Sequence, residues 1–295
     1  MHHLDHLTVG DVEIMRIVEL EGPLYDPPFL LPDATPEALS PYAEWLAPRF
    51  FEPETHRLIS AMHCFLLRTP HHTILVDTCL GNDKQRADHV NVHMRKGTFL
   101  DDLASLGVSP ETVDFVLCTH LHVDHVGWNT RLVDGRWVPT FPNAKYLMNQ
   151  AELNNARYEA ADRPQADLGA YSDSVAPILE AGLAEIVETE FAMDDRLWIE
   201  PTPGHTPGHV SIRVGSGDDQ AVFSGDVFHH PVQYAEPAWN SNFCIVEEEA
   251  RATRLAFLDR YAESTTVILP GHFATPTASR IGRSDDAFRF IEVET

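Results

Sequence analysis

Thr119-His120-Leu121-His122-Val123-Asp124-His125 is the stretch on which the reading of this chain turns. Four ligand-type side chains fall within six residues. They come after the apolar run 113–119 (VDFVLCT), which reads as a buried strand. Loops that leave strand ends are where sites are carried. In such a loop His120 and His122 can point to one metal, while Asp124 and His125 turn back toward a second. The mixture of imidazole and carboxylate suits zinc, or another divalent ion such as manganese, iron or cobalt. A polar surface loop would tolerate the same residues, but it gives no reason for the pattern downstream.

Three more ligand candidates each lie just after a predicted strand and beside a glycine. His205 stands in Pro203-Gly204-His205-Thr206-Pro207-Gly208-His209, Asp226 in Ser224-Gly225-Asp226, and His272 in Pro270-Gly271-His272. Glycine lets the backbone turn sharply at a strand end, so that the next side chain projects into a shared cleft. Loops converging at one sheet edge would collect five histidines and two aspartates. That is about what two four- or five-coordinate ions need, with Asp226 able to bridge them.

The rest of the chain reads as one layered α/β domain over residues 1–295. Strands are predicted at 12–18, 61–68, 73–77, 113–119, 144–148, 197–200, 210–214, 221–224, 266–269 and 287–293. Helices are predicted at 98–106, from about Asn149, and at 247–262, where Leu255, Leu258 and Tyr261 share a face. Residues 160–182 read as loop plus a short helix. Residues 22–55 stand apart: eight prolines interleave with Tyr25, Phe29, Tyr42, Trp45, Phe50 and Phe51. Proline at that density breaks regular structure, and the aromatics argue against a solvated linker, so the segment is predicted to pack on the body as an arm or lid.

Composition sets outer bounds. The 295 residues carry 45 Asp+Glu against 21 Lys+Arg, a formal net charge of −24. That balance argues against a nucleic acid or an anionic membrane as partner. No basic segment leads into an apolar run at the N-terminus, and no stretch has the length of a membrane helix. The four cysteines form no C-x-x-C pair and read as buried free thiols of a cytoplasmic protein. A homodimer is compatible with all this but not required by it. Of the 17 histidines, His2, His3, His6, His56, His71, His72, His89 and His93 read as solvated or structural, His209 as a structural neighbour of the ligands, and His63 as a core or ligand-supporting residue.

The order His-x-His-x-Asp-His, Gly-His, Gly-Asp, Gly-His resembles the metallo-β-lactamase-fold superfamily of hydrolases, from Asp77 to His272. The resemblance implies a four-layer αββα sandwich with metals at one edge of the sheets. It implies that His120, His122 and His205 hold a first ion, that Asp124, His125 and His272 hold a second, that Asp226 bridges, and that Asp77 orients a ligand histidine. Cys79 departs from the family, which often has glycine after the Asp-Thr pair.

Within the family, flavo-diiron oxygen reductases carry Glu where this chain has His122. Zinc β-lactamases generally lack the bridging aspartate. Glyoxalase II-type thioesterases add a long helical region after the last ligand, and nucleases add a large inserted domain. The pattern is most similar to quorum-quenching lactonases and methyl-parathion-hydrolase-like enzymes. The lactonases usually place tyrosine three residues after the bridging aspartate, where this chain has His229. The resemblance thus implies a dinuclear hydrolase whose metal-bridging hydroxide attacks the carbonyl of a hydrophobic ester or lactone, a small-molecule substrate. Asp124 and His229 are the expected catalytic side chains, and Phe228, His230, Trp239 and Phe243 the expected pocket. The alternatives are a phosphotriester hydrolase at the same site and a mononuclear iron persulfide dioxygenase.

Overall fold

The computed structural model describes residues 6–86, 92–193, 195–217, 219–284 and 287–293. His2, His3 and His89 lie outside the described residues. The backbone gathers into two compact units, residues 1–19 with 62–191 and residues 20–61 with 192–295.

The first unit is built on a sheet in the order β1 (His6–Val9), β2 (Val12–Tyr25), β3 (Arg57–Arg68), β4 (Thr73–Val76), β5 (Phe115–Leu117), β6 (Lys145–Asn149) and β7 (Ala184–Val187). β3 and β4 pair antiparallel, whereas β4, β5, β6 and β7 are mutually parallel. Three consecutive parallel strands, β4 to β6, therefore end on one edge, and they run on into Asp77, the 119–125 loop and a helix. Helix α1 (Phe99–Ser105) ends before Gly107, whose φ of +76° is the left-handed stop expected there. Helix α2 (Gln150–Asp162) starts on Asn149, whose side chain accepts the Glu152 N–H at 2.9 Å. Leu66, Leu75, Leu103, Val116, Tyr146 and Ile178 belong to the core of this unit. Segment 160–182 is more helical than its sequence suggests, with turns at Pro164–Asp167, Tyr171–Val175 and Ala176–Glu180. Its anchor is Asp173, which accepts two hydrogen bonds from Arg86 at 2.7 and 3.1 Å and lies 3.3 Å from Lys84 Nζ.

The second unit's sheet contains β8 (Leu197–Pro201), β9 (Val210–Ser216), β10 (Asp219–Gly225), β11 (Val267–Pro270), β12 (Ser279–Ser284) and β13 (Ala287–Glu292). β8 is antiparallel to β9, β9 to β10, and β10 is parallel to β11. Hence β8, β10 and β11 point the same way, and their C-terminal ends release His205, Asp226 and His272 on one edge. Helix α3 (Glu247–Tyr261) buries Ala250, Arg254, Phe257, Leu258 and Tyr261. Leu255, predicted on that face, is exposed instead. Its neighbour Arg254 takes the inward position because its guanidinium donates to the carbonyls of Val227 and Pro237 at 2.9 Å each.

The proline-rich segment is ordered. Gly22–Tyr25 still belong to β2, and the prolines then open short turns: Pro27–Leu30, Pro36–Leu39 and the 3₁₀ turn Ser40–Tyr42 each carry proline in the first positions. There the missing N–H costs nothing. Leu30, Leu39, Leu46 and Phe50 pack with Val232 and Trp239 in one cluster of the second unit. The cysteines are free, with Cys64, Cys79 and Cys118 buried and Cys244 partly so. Among the described residues no helix is long and apolar enough to cross a membrane.

Candidate metal centre

In the first unit the chain leaves β4 through a strained turn. Asp77 and Cys79 have φ of +58° and +51°, left-handed values on residues with a Cβ, each costing roughly 1–2 kcal/mol. Cys79 thus adopts a conformation that glycine would adopt freely. The turn is held against the ligand loop: Thr78 N–H donates to His125 O, Gly127 N–H to Cys79 O and Trp128 N–H to Thr78 O, at 2.7–2.8 Å. The approach is so close that a Cβ on Gly127 would stand 1.9 Å from the Leu80 carbonyl carbon. Glu19 caps the assembly, accepting from Leu80 N–H at 2.7 Å and from Trp128 Nε1–H at 2.8 Å. Burial pushes the Glu19 carboxyl pKa up.

The strain places Asp77 under the ligand loop. Its carboxylate accepts from Thr119 N–H at 2.8 Å, from the Thr119 hydroxyl at 2.9 Å and from His125 Nδ1–H at 2.8 Å. Because the single hydroxyl proton of Thr119 goes to Asp77, its oxygen accepts at 3.1 Å from His120 Nδ1–H. His120 and His125 therefore both keep a lone pair on Nε2. Their rings lie 4.0 Å apart, and the His122 ring lies 4.6 Å from that of His120. Asp124 Oδ1 stands 3.8 Å from His125 Nε2.

The second unit assembles the other set. Gly204 and Gly225, with φ of +126° and +49°, make the expected left-handed turns before their ligands, whereas Gly271 does not. One carboxylate oxygen, Asp226 Oδ2, has His272 Nε2 at 3.1 Å, His205 Nε2 at 3.3 Å and His229 Nε2 at 3.3 Å. The Nδ1–H of His272 donates to the Ala61 carbonyl at 2.9 Å, so in the neutral ring it is a lone pair that faces the carboxylate. Two lone pairs at that distance repel, and a cation between them removes the conflict. The donor set thus fits a metal ion: His205, Asp226 and His229 offer ligand atoms within 4.8 Å of one another. His209 holds the backbone of the bridging candidate, its Nε2 accepting Asp226 N–H at 2.9 Å. Cys244 Sγ lies 3.8 Å from His205 Nδ1.

The predicted pocket residues divide. Phe228 is fully buried in the core, its ring 4.8 Å from Tyr234 and 5.5 Å from Phe257. His230 is also buried, donating from Nε2 to the Phe50 carbonyl at 2.8 Å, and its burial brings its pKa down to about 4. Trp239 packs edge-on to Tyr42. Phe243 is 40% exposed and lies with Tyr25 and Phe29 in a three-ring cluster, 6.4 Å from the His229 ring. His63 is buried in β3 beside Phe65. His6, His56, His71 and His93 are exposed or partly so, and His72 is half-buried against Phe115. Sequence reasoning does not single out Glu19, Thr119, Glu152 or Glu159. For the two α2 glutamates a signal exists: acids seven residues apart on the face that also buries Leu153 and Ala156.

Several known proteins are similar to this chain. N-acyl homoserine lactonase of a Bacillus species is 28% identical over 166 residues, 51% of this chain. Metallo-beta-lactamase domain-containing protein 1 of Xenopus laevis is 29% identical over 180 residues, 60% of this chain and 61% of that protein. The match spans only 57% of the Bacillus enzyme's length. Among solved structures, the hydrolase AbOPH of the beta-lactamase superfamily superposes with a TM-score of 0.82 at 23% identity, covering 99% of this chain and 98% of that one. AidC, a dizinc quorum-quenching lactonase, gives 0.75 at 18% identity, with the same coverage. The two structures share the fold, the mixed α/β architecture that the resemblance implies. The family model of the metallo-beta-lactamase superfamily matches residues 61–272, and the chain belongs to that superfamily.

Proposed function

We propose that the protein is a metal-dependent hydrolase of a hydrophobic ester or lactone. In this reading His120, His122, Asp124, His125, His205, Asp226 and His272 together hold two divalent ions, zinc being the best fit to the donor set. The observation that carries the reading is the crowd of imidazole nitrogens around one oxygen of Asp226, at 3.1–3.3 Å. His205 and His229 can meet that oxygen as neutral rings donating from Nε2, but His272, whose Nδ1–H goes to the Ala61 carbonyl, needs a cation or an added proton there.

When bound, the ions supply Lewis acidity toward the substrate carbonyl and activate water near neutral pH. The chain's own residues do the rest. Asp77 and Thr119 hold the rings of His125 and His120 with Nε2 outward. Asp124, 19% exposed, is the carboxylate able to take a proton from the attacking water and return it to the leaving oxygen. His229 is buried with its Nε2 3.3 Å from Asp226, burial pushes its pKa down, and we assign to it the stabilisation of a developing oxyanion. Phe243, with Tyr25 and Phe29, offers an apolar surface beside His229 for the acyl portion of the substrate.

The test is metal analysis joined to a substrate panel. Two equivalents of metal and turnover of acyl lactones or p-nitrophenyl esters are expected, with Asp124→Asn lowering kcat at least about a hundredfold. Turnover of paraoxon-like triesters alone would move the reaction to phosphorus. One iron per chain with oxygen uptake would overturn the hydrolase reading.

A further inference from the structure

The buried face of α2 carries two carboxylates where a helix packed on a sheet should be apolar. Glu152 and Glu159 are 2% and 5% exposed, on the same face as Leu153 and Ala156. Such a face normally stabilises the fold by excluding polar groups, and a buried carboxylate costs several kcal/mol unless something offsets it. Both glutamates reach the ligand loop. Glu152 accepts Leu121 N–H at 2.9 Å, which fixes the backbone between His120 and His122. Two helical turns on, Glu159 Oε2 stands 4.0 Å from His122 Nε2.

We infer that Glu159 is a positioning residue that keeps the proton of His122 on Nε2 and so leaves Nδ1 as its ligand atom. A neutral imidazole has one N–H, and a carboxylate beside Nε2 favours the tautomer that carries the proton there. The contact is longer than a hydrogen bond and acts through the charge of a carboxylate that is itself almost buried. The neighbouring histidine is arranged the opposite way, because Thr119 takes the Nδ1 proton of His120 at 3.1 Å and leaves Nε2. Two histidines separated by one residue, in a loop that turns at His122, project from different points of the backbone. Presenting Nε2 from one and Nδ1 from the other is how both can serve a single ion. Arg163, just past the end of α2, lies 3.8 Å from the other oxygen of Glu159, but its side chain is half exposed and solvent screens its charge.

The inference rests on the proposal of a bound metal, and the experiment separates the two. Wild-type protein, Glu159→Gln, Glu159→Ala and Arg163→Ala are stripped of metal and titrated with zinc against a chromophoric chelator. Each is then loaded with cobalt(II) for its visible spectrum. Glu159→Ala is expected to weaken one zinc site about ten- to a hundredfold and to shift the cobalt bands. Glu159→Gln keeps the shape, loses the charge and weakens the same site by less, which carries the test if the alanine variant does not fold. Arg163→Ala should match wild type. Unchanged zinc affinity and cobalt spectrum in both Glu159 variants would overturn the role, as would an equal loss in Arg163→Ala. If wild-type protein binds no zinc, the metal reading itself fails first.

Discussion

A carboxylate that accepts three hydrogen bonds cannot be replaced by an amide. Asp77 receives Thr119 N–H, the Thr119 hydroxyl and His125 Nδ1–H. Asn at that position would turn an NH₂ toward one of these donors, leaving it unsatisfied or rotating the His125 ring. Asp77→Asn should therefore weaken metal binding about ten- to a hundredfold with the fold retained; zinc titration and circular dichroism check the two halves of that statement. Asp77 is legible in the sequence because it stands in the motif. Thr119 is visible there only as the residue before His120, and its function appears once its oxygen is seen between Asp77 and His120. The motif separates His209 from the ligands, and the structure supplies a reason: both ring nitrogens are occupied, Nε2 by Asp226 N–H and Nδ1 by Thr202.

Elements show where side-chain pattern is a weak guide. The proline-rich segment reads from sequence as packed but not as helical, because turns of four residues have no measurable periodicity. Its attachment is tertiary: His230 donates to Phe50 O, Asn242 N–H to Leu30 O at 3.1 Å, and the Tyr42 hydroxyl to Glu236. The burial of His230 ties stability to pH, against the opposing pull of its bond to Phe50. The His230 pKa is about 4 in the fold against an ordinary 6.5. Between these values the unfolded chain binds the extra proton, so stability rises with pH through this window. It is fully present above about 6.5 and falls progressively toward 4, by a total on the order of 3 kcal/mol. Urea unfolding of metal-free protein at about pH 7 and about pH 4.5 should show a smaller loss for His230→Gln than for wild type. Equal losses would remove His230 as the cause. Helix α3 makes the same point about pattern. An apolar-only reading chooses Leu255, whereas the buried position belongs to Arg254, whose guanidinium donates to the carbonyls of Val227 and Pro237 and to the Asn240 side-chain oxygen.

For the molecule as a whole the governing quantity is charge. A net −24 on 295 residues repels itself in the folded state. At low ionic strength that repulsion is poorly screened. Raising sodium chloride from about 20 to about 200 mM should lift the thermal midpoint of the metal-free protein by a few degrees, read by scanning calorimetry. A midpoint that falls would show that favourable surface pairs outweigh the net repulsion. The parallel order of β4, β5 and β6, and the common direction of β8, β10 and β11, give each unit one edge at which its ligands emerge. That edge follows from strand pairing, which no local pattern encodes.

The chain's own sequence determined which atoms are offered: the spacing of 119–125 and the Gly-ligand pairs are local, and an imidazole or carboxylate carries its chemistry wherever it is placed. Tertiary structure decided which nitrogen of each histidine is left for a ligand. That choice depends on a partner for the other nitrogen. For His125 the partner is Asp77, for His272 the Ala61 carbonyl, and for His122 the charge of Glu159. Each lies far along the chain from its histidine, and a tautomer is set by what is near in space.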